Sequence, residues 1–114
     1  VISKHKENGN YYDKALKGVE GITLLERDSR MESSFWIYSL LVERKDDFTR
    51  HMKECGIATS QVHERNDIHS CLNEFRAQLP NLDSIKGKLS AIPVGWWVSK
   101  EDREYIVDCI KMGW

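Results

Sequence analysis

The sequence predicts an α/β fold of the α+β two-layer sandwich type, a small and mainly antiparallel sheet with helices packed on it. Three observations carry this. The apolar runs are short: the longest, "FWIYSLLV" at 35–42, suits a strand and is too short to span a bilayer. Between such runs lie stretches with apolar residues at i, i+4 and i+7, which is the helical period. The alternation of short strands with helices fits one domain and one modest core in 114 residues.

In chain order, residues 1–20 place Ile2, Tyr11, Tyr12, Leu16 and Val19 at loose helical spacing. They read as the end of something, although loss of an initiator methionine accounts for the start at Val1 equally well. "GITLLERDSR" (21–30) opens as a brief strand and becomes an exposed loop. "SSFWIYSLLVER" (33–44) is the clearest strand, apolar on both faces and therefore expected to be central, with Trp36, Ile37 and Leu41 in the core. "KDDFTRHMKECG" (45–56) reads as a helix capped by Asp46, with Phe48, Met52 and Cys55 inward and Gly56 as its left-handed stop. "IATSQV" (57–62) reads as a half-polar strand. Asn66 or Asp67 can cap a short helix carrying Ile68, Leu72 and Phe75, and Leu82, Ile85 and Leu89 mark another. "SAIPVGWW" (90–97) is a strand ended by Pro93 and Gly95. The last helix starts at a capping-box pair, Ser99 and Asp102, carries Tyr105, Ile106, Cys109 and Ile110, and stops at Gly113.

Charge excludes some functions. With 17 basic and 18 acidic residues well mixed along the chain, no basic surface for nucleic acid or membrane is expected. No charged-then-apolar leader is present, and three cysteines (Cys55, Cys71, Cys109) without a pairing pattern suit a reduced, cytoplasmic setting.

The segment "QVHERNDIHSC" (61–71) is the densest in chemically able side chains. A zinc site from Cys55, His63, His69 and Cys71 would need closely paired ligands, and no two cysteines form the usual knuckle; reduced cysteines acting as small apolar residues fit better. A cysteine–histidine dyad at Cys71 lacks a glycine-rich donor loop. The seven glycines never fall in a phosphate-binding or dinucleotide spacing. Trp36, Tyr38, Trp96 and Trp97 suit structural packing, or a stacking platform for a base or sugar, with one of Trp96 and Trp97 left exposed. From the residues alone, the result is an α/β domain with a polar loop and an open function.

The order of certain motifs narrows this. Asp47-Phe48, Gly56-Ile57-Ala58-Thr59, His63-Glu64-Arg65 with His69, Ile92-Pro93, and Ser99 to Ile106 follow one another as in the C-terminal part of the DegT/DnrJ/EryC1/StrS sugar aminotransferases. The resemblance covers about residues 30–114; it implies that residues 1–20 are the remnant of a large-domain terminal helix and 21–114 the small C-terminal domain, and "HERNDIH" with "IPVGWWV" most resembles the perosamine-synthase-like members. It implies the small C-terminal domain of a fold-type-I aminotransferase dependent on pyridoxal phosphate. Such an enzyme uses glutamate to aminate a nucleotide-linked keto-sugar, as a cytoplasmic homodimer. The resemblance further implies that the Schiff-base lysine lies in the large N-terminal domain, so that no catalytic residue, no metal and no bound pyridoxal phosphate is expected in this chain. His63, Arg65, Asn66 and His69 would line the substrate cleft, Arg65 as a fork for carboxylate or phosphate and the histidines as hydrogen-bonding groups. The alternative is a free-standing small binding or interaction domain without catalytic activity.

Overall fold

The computed structural model describes all residues, 1–114. Helices α1 (Ile2–Ala15), α2 (Lys45–Glu54), α3 (Pro80–Ile85) and α4 (Lys100–Lys111) alternate with strands β1 (Ile22–Leu24), β2 (Tyr38–Val42) and β3 (Leu89–Ile92). Two 3-10 helical turns, Asn66–Ile68 and Ser70–Phe75, lie between α2 and α3. The sheet runs β1-β2-β3 and is antiparallel throughout, with Ile22 opposite Val42 and Tyr38 opposite Ile92.

Side chains alternate across a strand, so this register puts Tyr38, Leu40, Val42 and Ile92 on one face, all buried. Against that face pack Tyr12 and Leu16 of α1, Phe48 and Met52 of α2, and Ile106, Val107, Cys109 and Ile110 of α4. The architecture is the expected α/β sandwich. Of residues 1–20, Tyr12 and Leu16 are wholly buried in the core that they share with 21–114.

The central strand is shorter and more one-sided than the apolar run suggests. Ile37 and Leu41 are only half-buried, because they point away from the helices. Phe35 takes a left-handed backbone (φ 52°), turns its ring into the core over Gly9, and leaves Trp36 outside with 71% of its surface exposed. α2 begins after Arg44, itself left-handed at φ 47°; Asp46 lies in the first turn and caps nothing. At the other end Gly56 (φ 78°) supplies the left-handed stop, its N–H donating to the Lys53 carbonyl while that of Ile57 reaches Met52. Cys55 is half-buried at this terminus. The Ser99–Asp102 capping box is formed in both directions at 3.0 Å, although Tyr105 is exposed and the buried stripe of α4 also includes Val107 and Arg103.

α1 is joined to α4 and the turn before it by a buried polar hub. The amide of Asn8 donates to the carbonyls of Val94, Gly95 and Val98 at 3.1–3.3 Å, and its oxygen accepts from Arg103 Nη1 at 3.0 Å. Arg103 Nη1 also bonds Glu7 at 2.7 Å, and the guanidinium lies 4.8 Å from the centre of the Tyr11 ring. Tyr12 donates to the Pro93 carbonyl at 2.8 Å, and burial pushes its hydroxyl above the usual tyrosine value.

Candidate functional site

From Gly56 the chain leaves α2 and runs along the free side of β3. The expected strand at 57–62 is a single bridge: Ser60 and Ala91 exchange both backbone hydrogen bonds, at 3.1 and 2.7 Å. The surrounding residues (Ala58, Thr59, Ser60) are too small and polar to extend it. This bridge closes one side of a groove of about 420 Å³ whose walls include Trp36, Val62, Pro93 and Trp97. Gly95 lets the Trp97 ring lie against the backbone, where a Cβ would collide with it. Trp36, expected in the core, instead stands at the groove with its ring 6.3 Å from that of His63.

Beyond His63 the segment has no apolar anchor. The helix expected after Asn66 or Asp67 is replaced by the two 3-10 turns, neither with a side-chain cap, and Ile68 and Phe75 are exposed. Two arginines give it shape. Arg65 grips Asp67 with Nε and Nη2, both at 2.6 Å, and reaches Asp83 of α3 with Nη1 at 2.7 Å. Arg76 donates to the carbonyls of Asp67 and Ile68 at 3.1 and 3.4 Å. The Arg65 guanidinium holds the Asp67 carboxyl below the usual carboxylate range, and Asp67, then Asp83, raise the arginine in return.

The four residues singled out from sequence thus divide. The fork of Arg65, expected to be open to a ligand, is closed on two carboxylates, an arrangement needing Asp67 and Asp83, which the sequence reading did not weigh. His63, Asn66 and His69 are exposed, and no side-chain hydrogen bond within the chain occupies them. They offer donors and acceptors on one stretch whose backbone is fixed by the arginines. Cys55 does not join His63, His69 and Cys71, and no group of three or more His, Cys, Asp or Glu side chains is placed to hold a metal ion. No helix is long and apolar enough to cross a membrane. Trp36, weighed from sequence as core or as part of a stacking platform, is turned out to the groove by the left-handed Phe35.

The model of the DegT/DnrJ/EryC1/StrS aminotransferase family matches residues 1–111. The chain belongs to this family. It is 43% identical to the sugar aminotransferase CalS13 from Micromonospora echinospora, with a TM-score of 0.97 over 100% of this chain and 31% of that one. AtS13 from Actinomadura melliaura is 42% identical, with a TM-score of 0.95 over 99% of this chain and 30% of its own. The erythromycin biosynthesis sensory transduction protein EryC1 of Saccharopolyspora erythraea is 28% identical over 110 residues, 90% of this chain and 29% of that protein. The chain therefore spans about three-tenths of the length of the relatives it matches.

Proposed function

We propose that the chain is the C-terminal, substrate-side domain of a pyridoxal-phosphate-dependent aminotransferase that aminates a nucleotide-linked keto-sugar, with glutamate as amino donor. The observation that carries this reading is the likeness along the whole chain to a sugar aminotransferase, at 43% identity and a TM-score of 0.97. In the proposal the remaining length is a large N-terminal domain, and the enzyme works as a cytoplasmic homodimer.

The 61–71 segment faces the substrate. His63, Asn66 and His69 hydrogen-bond its hydroxyl or phosphate oxygens, groups for which neutral donors and acceptors are suited. Arg65 lines the same cleft as a positioning residue: engaged with Asp67 and Asp83, it keeps those three side chains in register instead of binding the ligand through its own fork. Trp36, next to His63, gives this surface an apolar flank.

Pyridoxal phosphate, when bound, supplies the electron sink for transamination. The residues of this chain do not fit it. No lysine is buried, and several are engaged in surface pairs, Lys6 with Glu32 at 2.9 Å and Lys4 with Glu7 at 3.3 Å among them. A Schiff-base lysine requires an enclosed, desolvated site, so the anchoring of the cofactor is assigned to the large domain.

The test is turnover of the full-length polypeptide containing this chain, with glutamate and a panel of nucleotide-linked keto-sugars. His63→Ala and His69→Ala should each lower kcat/KM for the keto-sugar about ten- to hundred-fold, as expected for a lost contact of about 1.5–3 kcal/mol to a charged ligand. The half-reaction with glutamate should change much less. Absence of amination across the panel, or full activity in both variants, would overturn the proposal and favour a non-catalytic binding domain.

A further inference from the structure

The groove beside the 61–71 segment is shaped by a backbone feature that packing of the core alone does not require. Side chains alternate along β2, so a strand continued backwards from the buried Tyr38 would carry Trp36 on the same covered face. The left-handed Phe35 breaks that alternation: its own ring goes inward and the Trp36 indole goes out. A left-handed residue other than glycine is disfavoured and persists only where its surroundings impose it. Three contacts do so here. The Phe35 N–H donates to Ser33 Oγ at 3.1 Å, the Phe35 carbonyl accepts from His5 Nδ1 at 2.9 Å, and the ring stacks on Tyr38 with centroids 6.0 Å apart. His5 also meets the Trp97 ring edge-on at 6.3 Å, so one residue of α1 braces both tryptophan walls of the groove. Asn8, three residues further along α1, holds the Gly95 carbonyl at 3.1 Å on the Trp97 side.

None of the residues lining the groove is charged, and Ser60 brings its only side-chain hydroxyl; the rest of the lining is apolar, aromatic or glycine. Phosphate oxygens would find no charged partner in such a site, whereas a flat neutral ring stacks well on an exposed indole face. The ligand of the proposed function has one such part, its base. Its phosphates and hydroxyls suit His63, Asn66 and His69, and the His63 ring lies 6.3 Å from that of Trp36, where the segment meets the groove. We propose that the groove is the subsite for the nucleobase of the nucleotide-linked sugar, which stacks on the Trp36 indole. Resting on the function proposed above, this places the base at Trp36 and leaves the phosphates to the polar segment. Stacking uses the face that all bases share, so the groove holds a base without reading its hydrogen-bonding edge.

The test measures binding of uridine, thymidine and guanosine diphosphates, and of inorganic pyrophosphate, to the full-length polypeptide by calorimetry. In the unsubstituted protein the nucleoside diphosphates should bind more tightly than pyrophosphate. Trp36→Ala should weaken them roughly ten- to hundred-fold, with pyrophosphate affinity and melting temperature unchanged. Trp36→Phe, which keeps a flat ring, should retain most of the affinity. Failure of all three nucleoside diphosphates to bind more tightly than pyrophosphate overturns the proposal, as does undiminished binding in Trp36→Ala or an equal loss of pyrophosphate. A raised KM for the keto-sugar in Trp36→Ala, with nucleoside-diphosphate binding intact, overturns it too and puts the sugar ring on the indole instead. The subsite and the proposed function fail separately. Amination with KM unaltered by Trp36→Ala removes the subsite and leaves the function; base-dependent binding lost in Trp36→Ala, without amination of any keto-sugar, does the reverse.

Discussion

Asn8 and Asn66 carry the same amide in opposite settings. Asn8 is wholly buried, with its N–H groups shared among three carbonyls and its oxygen taken by Arg103. Asn66 is exposed at the head of a 3-10 turn, and its side chain bonds to nothing in the chain. Around Asn8 the polar groups are nearly all answered, Arg103 Nε being the one buried side-chain atom left without a partner. Around Asn66 the backbone is shaped by arginine–aspartate pairs while the remaining side chains stay free. A buried polar group must be paired or it costs stability; an exposed one can wait for a ligand. The first region is built for folding and the second is available for binding.

The sharpest way to break this contrast is in β2. Leu40→Ala, in the core, should cost about 2–5 kcal/mol, a large share of the roughly 5–15 kcal/mol that holds a domain together. Its neighbour Leu41, half-buried on the other face, should cost about 1 kcal/mol when truncated. Urea unfolding of both variants measures the difference, and equal losses would mean that the sheet is covered on both sides. Gly9→Ala comes next. The added Cβ would lie 2.3 Å from the Phe35 ring, which is 5% exposed and fixed by its left-handed backbone. The clash should outweigh the gain in helix propensity and cost about 1–3 kcal/mol. Gly95→Ala meets the Trp97 ring as closely, but that ring is 65% exposed and can swing away, so the melting temperature should barely move while tryptophan emission shifts.

Ser99→Ala removes the side-chain cap of α4 and should cost about 1 kcal/mol in thermal denaturation. The smallest global effect belongs to Arg65→Ala, within about 0.5 kcal/mol, although amide exchange in residues 65–76 should accelerate. That segment should also report its own pH dependence. Asp67 is held below the ordinary carboxylate value of about 3.9 by Arg65. The contribution of the pair is therefore complete above that value and is lost as pH falls through the depressed one. Exchange protection of 65–76 should hold at neutral pH and collapse only in acid below about pH 4, with no such step in Arg65→Ala.

What the sequence revealed follows the same division. The capping box at Ser99, the stop at Gly56 and the buried Phe48, Met52, Ile106, Cys109 and Ile110 were legible, because most of these depend on neighbours within one or two turns; Tyr105 was not. The loop after Val62 was not. Ile68, Leu72 and Phe75 have helical spacing, but the residues between them (Asn66, Asp67, Ser70, Asn73) favour turns, and long-range pairing of Arg65 with Asp83 sets the local path. Trp36 was misplaced for a related reason: only the contact of Phe35 with Gly9, across the core, decides which of two adjacent aromatics turns inward. Asn8 and Gly9 look like helix breakers in α1 and are instead what lets the helix sit tightly against its neighbours.

The Asn8 hub also sets an order of events during synthesis. Its hydrogen bonds to Gly95 and Val98, and the Glu7–Arg103 pair, join residues 87, 90 and 96 positions apart in the chain. Contacts of such long sequence separation slow folding, since much of the chain must be ordered before they form. On the ribosome, α1 emerges well before residues 94–103, and the partners of its buried amide within this chain are not available until they follow. A helix made before the rest of its core is therefore among the last elements to be locked in place, and the core closes only when α4 is complete.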